Sequence, residues 1–188
     1  MNEITIDENH VYHDGAGRVV PGVTGIIRVC GLMDENGWND YARERGTAVH
    51  KAIELYEQAD LDAASLDQVI IPYLDGWIAF KNDTGHESDT LEQMIYSPTY
   101  RYAGTLDQTG FIRCKTCVLD IKTGSFQPWW ALQTAAYNAV AKAQERYSLE
   151  LRTDGTWKLI KHTDKNDWRV FLACLTVAGW RAGRGSRI

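Results

Sequence analysis

The chain contains 188 residues, of which 44% are hydrophobic and 24% are charged. These proportions are those of an ordinary soluble globular protein, and the length predicts one domain, residues 1–188, whose core needs no disulfide or structural metal. Twenty Lys and Arg residues against 25 Asp and Glu residues give a net charge of −5. This balance excludes a uniformly basic nucleic-acid-binding domain, although an enzyme that gathers carboxylates around metal ions can be acidic overall.

The N-terminal segment MNEITIDENH is polar and has no apolar stretch of the kind found in secretory signals. No apolar run in the sequence approaches the roughly 18 residues that a membrane-spanning helix needs. We therefore expect a cytoplasmic protein that makes no membrane contact. Its cysteines are then reduced thiols, and they are Cys30, Cys114, Cys117 and Cys174.

The first part of the sequence predicts short strands followed by two helices. The segments ITI, HVYH and GRVVPGVT, separated by Asp-Gly and Pro-Gly turn signals, predict extended pieces within residues 1–38. An apolar stripe at three- to four-residue spacing predicts a helix over residues 39–57, with Asn39 as its N-cap. Gly46 inside this helix indicates that another group approaches the backbone closely. A second helix is predicted over residues 65–81.

The later part predicts a meander, a helix, a hairpin and a closing helix. LEQMIYS, YAGTLDQTGFIR and CVLDIKT are closely spaced β-prone segments, which favours antiparallel pairing. PWWALQTAAYNAVAKAQER predicts a helix over residues 128–146. YSLELRTDG and TWKLIKH predict a hairpin that turns at Asp154-Gly155, and DWRVFLACLTVAGWR predicts the last helix. We expect one α+β domain with N-terminal strands and turns in residues 1–38, a core in residues 39–146, and a C-terminal hairpin and helix in residues 147–188.

The chemistry begins with Asp120-Ile121-Lys122 on a predicted strand. Residues two apart point to one face of a strand, so this carboxylate and this ammonium share a side of the sheet. Asp107 lies 13 residues upstream, and a hairpin between them can bring it beside Asp120. Two adjacent carboxylates resist ionisation unless a cation lies between them, and hard oxygen ligands favour Mg²⁺ or Mn²⁺. A surface ion pair, or carboxylates on opposite faces, is the alternative.

Two further pairs have the spacing of one helix face. Gln133 and Tyr137 are four residues apart in the helix after the Asp-x-Lys strand, so an amide and a phenol would point together. His50 and Glu54 have the same spacing in the earlier helix, with His50 as a candidate metal ligand and Glu54 as a second ligand or orienting partner. The alternatives are a solvated Gln, a core Tyr, a structural or exposed His, and a surface ion pair.

Taken in order, these motifs resemble those of the PD-(D/E)XK nuclease superfamily, in its RecB-like and phage-exonuclease branch. Each motif is weak alone, but four in the right order on the predicted element types are specific. The resemblance covers residues 45–137 and implies an α/β/α fold with a restriction-endonuclease-like core, a central mixed β-sheet flanked by helices. The matching residues are Gly46-Thr47 with His50, Gly104-Thr105-Leu106-Asp107, Asp120-Ile121-Lys122, and Gln133 with Tyr137.

The resemblance also implies a metal centre with one or two Mg²⁺ or Mn²⁺ ions. Lys122 would position or activate the attacking water. Glu92, on the strand before Asp107, is a further acidic member of the site or else a polar residue on a solvated strand face. The cysteines lack the spacing of the iron–sulfur cluster that some relatives bind, so no such cluster is expected. The implied metal ligands are His50, Asp107, Asp120 and the backbone carbonyl of Ile121.

DNA contacts are expected around these motifs. The resemblance implies that Gln133 and Tyr137 orient the active site and contact the DNA backbone. Trp129 and Trp130 begin the Gln-Tyr helix, where one indole is a candidate to stack on a base. At least one of them is a core residue, because adjacent residues cannot share a helix face. The cations that flank His50 are candidates to line the path to the site, and they are Arg43, Arg45 and Lys51.

The activity implied is a metal-dependent deoxyribonuclease that hydrolyses phosphodiester bonds to 5′-phosphate products. Small size favours an exonuclease of phage or mobile-element recombination, repair or replication, acting on linear duplex or single-stranded DNA. The expected partners are a single-strand-annealing or recombination protein and further copies of the chain, in the bacterial host cytoplasm if the gene is phage-encoded. The alternatives are a structure-specific or single-strand endonuclease and a non-cutting DNA-binding protein on the same fold, which would be free to lose Lys122 or Asp107.

Overall fold

A computed structural model describes residues 4–34 and 39–184 of the chain. Within these ranges a five-stranded sheet carries helices on both faces, and a small three-stranded sheet lies near the N-terminus. The strands are β1 (Ile4–Ile6), β2 (Tyr12–Asp14), β3 (Val19–Val20), β4 (Glu87–Ser97), β5 (Tyr102–Ile112), β6 (Lys115–Lys122), β7 (Glu145–Leu151) and β8 (Trp157–Lys161). The helices are α1 (Val23–Val29), α2 (Asp40–Glu57), α3 (Ile71–Thr84), α4 (Trp130–Ala141) and α5 (Asn166–Ala182).

The five-stranded sheet has the order β4-β5-β6-β7-β8 and is mixed. β4, β5 and β6 form the predicted antiparallel meander, β7 runs parallel to β6, and β7 and β8 form an antiparallel hairpin. Parallel neighbours need a crossover connection, and α4 supplies it between β6 and β7. The prediction of an α+β fold with a central mixed sheet flanked by helices is confirmed.

Each face of this sheet has its own hydrophobic core. On one face α1, α4 and α5 pack against the sheet through buried side chains such as Phe171. On the other face α2 and α3 pack through side chains such as Trp77. β6 is covered on both faces, because Val118 belongs to the first core and Leu119 to the second. A carboxylate at position 120 is therefore enclosed by the fold, and acidic residues are rarely buried to this extent.

Several predicted boundaries are confirmed. α2 begins after Asn39, whose side-chain oxygen accepts a hydrogen bond from the backbone N–H of Ala42 at 2.7 Å. The β7–β8 hairpin turns through Gly155, which has a φ of 77° that suits glycine, and the closing helix α5 follows it. None of the helices in the described ranges has the length and apolar character that crossing a bilayer requires.

The N-terminal prediction is wrong for residues 23–29. The sequence predicts extended chain there, but these residues form helix α1. Its β-branched residues and internal glycine have low helix propensity, so local sequence does not favour the helix. Burial favours it instead: Ile26 and Ile27 are fully buried in the core that α1 shares with α4 and α5.

Two other helices have different ends from those predicted. The helix expected to reach residue 146 ends at Ala141, where Lys142 takes a left-handed conformation with a φ of 59°. The residues that follow pair with β6 as strand β7, so tertiary pairing overrides the helix propensity of the AKAQER segment. The second predicted helix begins at Ile71 rather than near Ser65, with Pro72 in its first turn.

Candidate active site

The β5–β6 hairpin places Asp107 beside Asp120. Gln108 pairs with Leu119 across the two strands, so one further step in the same register brings positions 107 and 120 opposite each other. The Oδ2 atom of Asp107 accepts a hydrogen bond from the backbone N–H of Ile121 at 2.6 Å. Two strands therefore present neighbouring carboxylates where the sequence predicts a metal ion.

His50 and Glu92 form a cluster with Asp107. The Nδ1 atom of His50 lies 3.4 Å from Oε1 of Glu92 and 3.6 Å from Oδ1 of Asp107. One candidate ligand atom from each of these three residues lies within 4.8 Å of the other two. The Nε2 atom of His50 is 3.2 Å from the carbonyl oxygen of Ile121. All four residues line one small cleft between α2 and the sheet.

Glu92 has an unusual backbone conformation within β4. Its φ is 44°, in the left-handed region, although Leu91 and Gln93 on either side remain paired with β5. Backbone strain of this kind costs roughly 1–3 kcal/mol and persists where the surrounding structure imposes it, often at functional sites. In this strand, the left-handed conformation of Glu92 accompanies a carboxylate that lies beside His50.

The charges of this cluster compensate one another only in part. Burial opposes protonation of His50, but the carboxylates of Asp107 and Glu92 outweigh it and raise the pKa of the imidazole to about 9. Burial also raises the pKa of Asp107, against the attraction of His50 and Lys122. At neutral pH a proton on His50 thus balances part of the carboxylate charge. A divalent cation would balance more of it, and would displace that proton on binding to the imidazole.

A polar network connects Asp120 on the sheet to α4. The Nζ atom of Lys122 is 2.7 Å from Oδ2 of Asp120 and donates a hydrogen bond to Oε1 of Gln133 at 2.8 Å. The Nε2 atom of Gln133 donates in turn to the hydroxyl of Tyr137 at 2.9 Å. The two residues of the Asp-x-Lys motif and the two of the Gln-x-x-x-Tyr motif thus form one chain of polar contacts.

Asp120 is the most enclosed acidic residue of this arrangement, with a side chain that is 1% exposed. Burial raises its pKa to about 6, an effect that the ammonium of Lys122 opposes and the carboxylate of Asp107 reinforces. Its Oδ1 atom is buried and accepts no hydrogen bond from any residue in the described ranges. A carboxylate oxygen that is dehydrated without compensation is costly for the fold, and cation binding is one function that retains it.

Gly104, in the Gly-Thr-Leu-Asp motif, makes room for Tyr137. A Cβ atom at this position would lie 2.8 Å from Cε1 of the Tyr137 ring, so any side chain would displace the phenol. Gly46 is less constrained, because a Cβ there would lie 3.5 Å from Oγ1 of Thr123, an ordinary contact. The group that approaches the backbone of α2 is thus the loop that follows Lys122.

The donor set suits a hard divalent cation. Asp107 and Glu92 offer carboxylate oxygens, His50 offers an imidazole nitrogen, and Ile121 offers a backbone carbonyl beside it. Oxygen-rich sets of this kind favour Mg²⁺ or Mn²⁺ over softer metals. Asp120 lies next to Asp107 with one oxygen unsatisfied, so it can join the set from the neighbouring strand.

The predicted DNA-contacting cations of α2 have different surroundings. Arg43 is exposed and forms an ion pair with Asp40 at 3.0 Å, and Lys51 forms one with Glu54 at 2.7 Å. Glu54 thus contacts the Lys51 ammonium, and it is not in the three-residue cluster around His50. Arg45 donates a hydrogen bond to the carbonyl oxygen of Thr123 at 3.2 Å. This bond joins α2 to the loop that follows Lys122.

Trp129 and Trp130 are both buried, with exposed fractions of 5% and 2%. Their ring centroids lie 5.3 Å and 6.0 Å from Nζ of Lys122, so both indoles pack against the lysine from within the core. Neither indole is exposed enough to stack on a base in this structure. The expectation that at least one of the two is a core residue applies to both. Phe126, in the loop between β6 and α4, is 48% exposed, and no periodic pattern in the sequence singles it out.

No protein-family model matches the chain, and no curated protein matches it. Among solved structures it is similar to an alkaline exonuclease, LHK-Exo, from Laribacter hongkongensis, with 15% identity, a TM-score of 0.42, and coverage of 85% of this chain and 91% of that one. The complex of LHK-Exo with dAMP has 13% identity and a TM-score of 0.43, and the match covers 88% of this chain and 92% of that one. The protein SSO0001 has 15% identity and a TM-score of 0.37, and the match covers 72% of this chain and 69% of that one. Similarity at this level leaves the assignment of function to the residues of the site.

Proposed function

We propose that this chain is a divalent-metal-dependent nuclease that hydrolyses phosphodiester bonds of DNA, and that it is an exonuclease. The observation that carries the proposal is the convergence of His50, Glu92 and Asp107 within 4.8 Å, next to the buried Asp120-Lys122 pair. Several partly buried charges with perturbed pKa values in one cleft are often a sign of a functional site. A phosphodiester substrate needs both features: a cation for its negative charge and an ordered donor for water or phosphate.

The metal ligands would come from both carboxylate strands. His50, Glu92 and Asp107 would hold one Mg²⁺ or Mn²⁺ ion, with Asp120 and the carbonyl of Ile121 completing its set or sharing a second ion. When bound, the metal would supply Lewis acidity that lowers the pKa of water and neutralises phosphate charge. The strained Glu92 and the hydrogen bond from Ile121 to Asp107 hold two of these carboxylates in place beforehand.

Lys122 is the residue that would act on the water or on a phosphate oxygen. Its ammonium has three donors: one faces Asp120, one is donated to Gln133, and one remains for a ligand. The packing of Trp129 and Trp130 around Nζ restricts where that third donor points. Gln133, itself held by Tyr137, sets the direction of the lysine side chain. Lys122 is therefore oriented before substrate binds.

The preference for an exonuclease derives from the sequence motifs. Their order resembles that of the RecB-like and phage-exonuclease branch, whose members act in recombination, repair or replication and leave 5′-phosphates. On this proposal the substrate is linear duplex or single-stranded DNA, and the partners are a strand-annealing or recombination protein and other copies of the chain. Arg43, which is exposed at the start of α2 and forms an ion pair with Asp40, is the candidate in this helix for contact with DNA phosphates.

The proposal is tested by a time course on linear duplex, single-stranded and closed circular DNA, each with Mg²⁺, Mn²⁺ or EDTA. Lys122→Ala is compared with Lys115→Ala, a matched change at the opposite, exposed end of β6. We expect metal-dependent loss of linear DNA that spares circles, absent in Lys122→Ala and retained in Lys115→Ala. Cutting of circles would support an endonuclease instead. Absence of cleavage with every metal would contradict the catalytic proposal and favour a DNA-binding protein.

A further inference from the structure

Phe126 is an exposed aromatic residue in the loop between the Asp-x-Lys strand and α4. About half of its surface, 48%, is open to solvent. Its ring makes an edge contact with Trp130, with ring centroids 5.5 Å apart and planes inclined by 78°. The loop therefore presents an aromatic surface rather than burying it.

Trp130 contacts both the ring of Phe126 and the ammonium of Lys122, the proposed catalytic lysine. The indole is buried at 2% exposure, and its centroid lies 6.0 Å from Nζ of Lys122 and 5.5 Å from the ring of Phe126. Lys122 and Phe126 thus contact the same indole. Successive stacked nucleotides of one strand are about 3.4 Å apart. When a phosphate of that strand lies at Lys122, a base only a few nucleotides further along can therefore reach Phe126.

The loop that carries Phe126 is anchored at both ends. Its first residue, Thr123, accepts a hydrogen bond from Arg45 of α2 at 3.2 Å. Near its other end, the carbonyl of Gln127 accepts a hydrogen bond from the backbone N–H of Trp130 at 3.2 Å. A ring held in this way loses little further entropy when it contacts a ligand, which favours binding.

We propose that Phe126 stacks on an unpaired base of the DNA strand whose phosphate lies at Lys122, so that single-stranded or frayed ends are preferred substrates. This inference rests on the proposed nuclease function and adds the residue that selects the form of the end. Every base offers a flat face, so stacking is independent of sequence but requires an unpaired base. The buried rings of Trp129 and Trp130 do not offer such a face, whereas Phe126 does.

The test compares Phe126→Leu, which keeps an apolar side chain without a ring face, with Phe126→Tyr, which keeps the ring. Phe111→Leu is the matched control, because Phe111 is 40% exposed and lies at the far end of the β5–β6 hairpin. kcat/KM is measured on single-stranded DNA and on duplexes with frayed or fully paired ends. We expect Phe126→Leu to lose about 5- to 100-fold on unpaired ends. Phe126→Tyr and Phe111→Leu should stay within about 2-fold of the original chain.

A binding measurement separates this inference from the proposed function. Oligonucleotides with 2-aminopurine near the unpaired end report stacking as quenched fluorescence, with Ca²⁺ in place of Mg²⁺ to suppress cleavage. Quenching by the original chain and by Phe126→Tyr, but not by Phe126→Leu, is the expected result. Cleavage of DNA with equal rates and equal quenching in all variants would overturn the role of Phe126 and leave the nuclease proposal intact. Failure of the original chain to cleave any DNA would instead overturn the nuclease proposal, while quenching would still decide the stacking.

Discussion

Two clusters of partly buried charged groups lie along α2 and differ in how their charges are satisfied. Glu57, at the end of α2, accepts hydrogen bonds from Trp77 at 2.9 Å, from Lys81 at 2.7 Å and from Ser88 at 2.8 Å. His50, two turns earlier in α2, faces Asp107 and Glu92, while Asp120 nearby has an oxygen without a hydrogen-bond partner in the described ranges. We refer to these as the Glu57 cluster and the His50 cluster.

The pKa directions differ in the same way. Burial would raise the pKa of Glu57, but its hydrogen bonds to Lys81, Trp77 and Ser88 outweigh burial, and the pKa is lowered. Burial raises the pKa of Asp120 to about 6. The fold therefore stabilises the charged form of Glu57 and disfavours the charged form of Asp120, and a buried carboxylate of the second kind is more often retained for function.

The largest expected difference is in catalysis. Asp107→Asn removes a proposed metal ligand and should lower kcat/KM by about 1000-fold or more, corresponding to roughly 4 kcal/mol of transition-state stabilisation. Glu57→Gln, assayed below its melting temperature, should stay within about 3-fold, because Glu57 contacts none of the proposed ligands. Initial rates on linear DNA with Mg²⁺ provide the measurement. Equal losses in the two variants would show that the clusters are not functionally distinct.

Metal binding should stabilise the folded protein through one cluster only. At 100 times the dissociation constant a ligand stabilises by about 2.7 kcal/mol, which for a chain of this size raises Tm by roughly 5–10 °C. We expect this rise with Mn²⁺ in the original chain and in Glu57→Gln, and its loss in Asp107→Asn. Melting curves with and without EDTA measure it. A full rise in Asp107→Asn would place the metal elsewhere.

Substitutions that neutralise the carboxylates should have unequal effects on stability in EDTA. Glu57→Gln leaves Lys81 without its buried counter-charge and should lower the free energy of unfolding by about 2 kcal/mol. Asp120→Asn also removes the partner of an ammonium, Lys122, but it relieves the burial of a charge and the repulsion from Asp107, so the loss of that free energy should be smaller. Urea unfolding of both variants at pH 7 measures the two effects. A larger loss in Asp120→Asn than in Glu57→Gln would mean that the Asp120-Lys122 pair is a stabilising ion pair.

Local spacing explains why much of the site could be predicted from the sequence. Strand alternation fixes Asp120 and Lys122 on one face, and helix periodicity does the same for Gln133 and Tyr137. A tight hairpin limits where Asp107 can lie relative to Asp120. These relations depend on residues close in the chain, so they are readable before the fold is known. The resemblance to the nuclease superfamily then adds His50, which no local rule connects to Asp107.

The features that sequence reasoning missed depend on tertiary packing. The helical state of residues 23–29 follows from the burial of Ile26 against α4 and α5, not from propensity. Phe126 is exposed and contacts the buried Trp130, and neither fact follows from local propensity. The partners of Glu57 are 20 to 31 residues away from it in the chain, and no sequence motif predicts that they meet. Only packing decides which buried charges are satisfied, and hence which cluster is functional.

The smallest expected difference is in the pH dependence of stability in EDTA. Because the pKa of folded Asp120 lies near 6, above the unfolded value of about 3.9, its contribution is fully present below pH 4 and lost as pH rises through 6. Glu57, with its lowered pKa, contributes in the opposite sense: its stabilisation is present above about pH 4.3 and lost as pH falls. Between pH 6.5 and 4, Asp120→Asn should therefore lose more stability than the original chain, and Glu57→Gln should lose less. Unfolding free energies measured across this interval would contradict the division of the clusters if the three curves ran parallel, because the two carboxylates would then titrate alike.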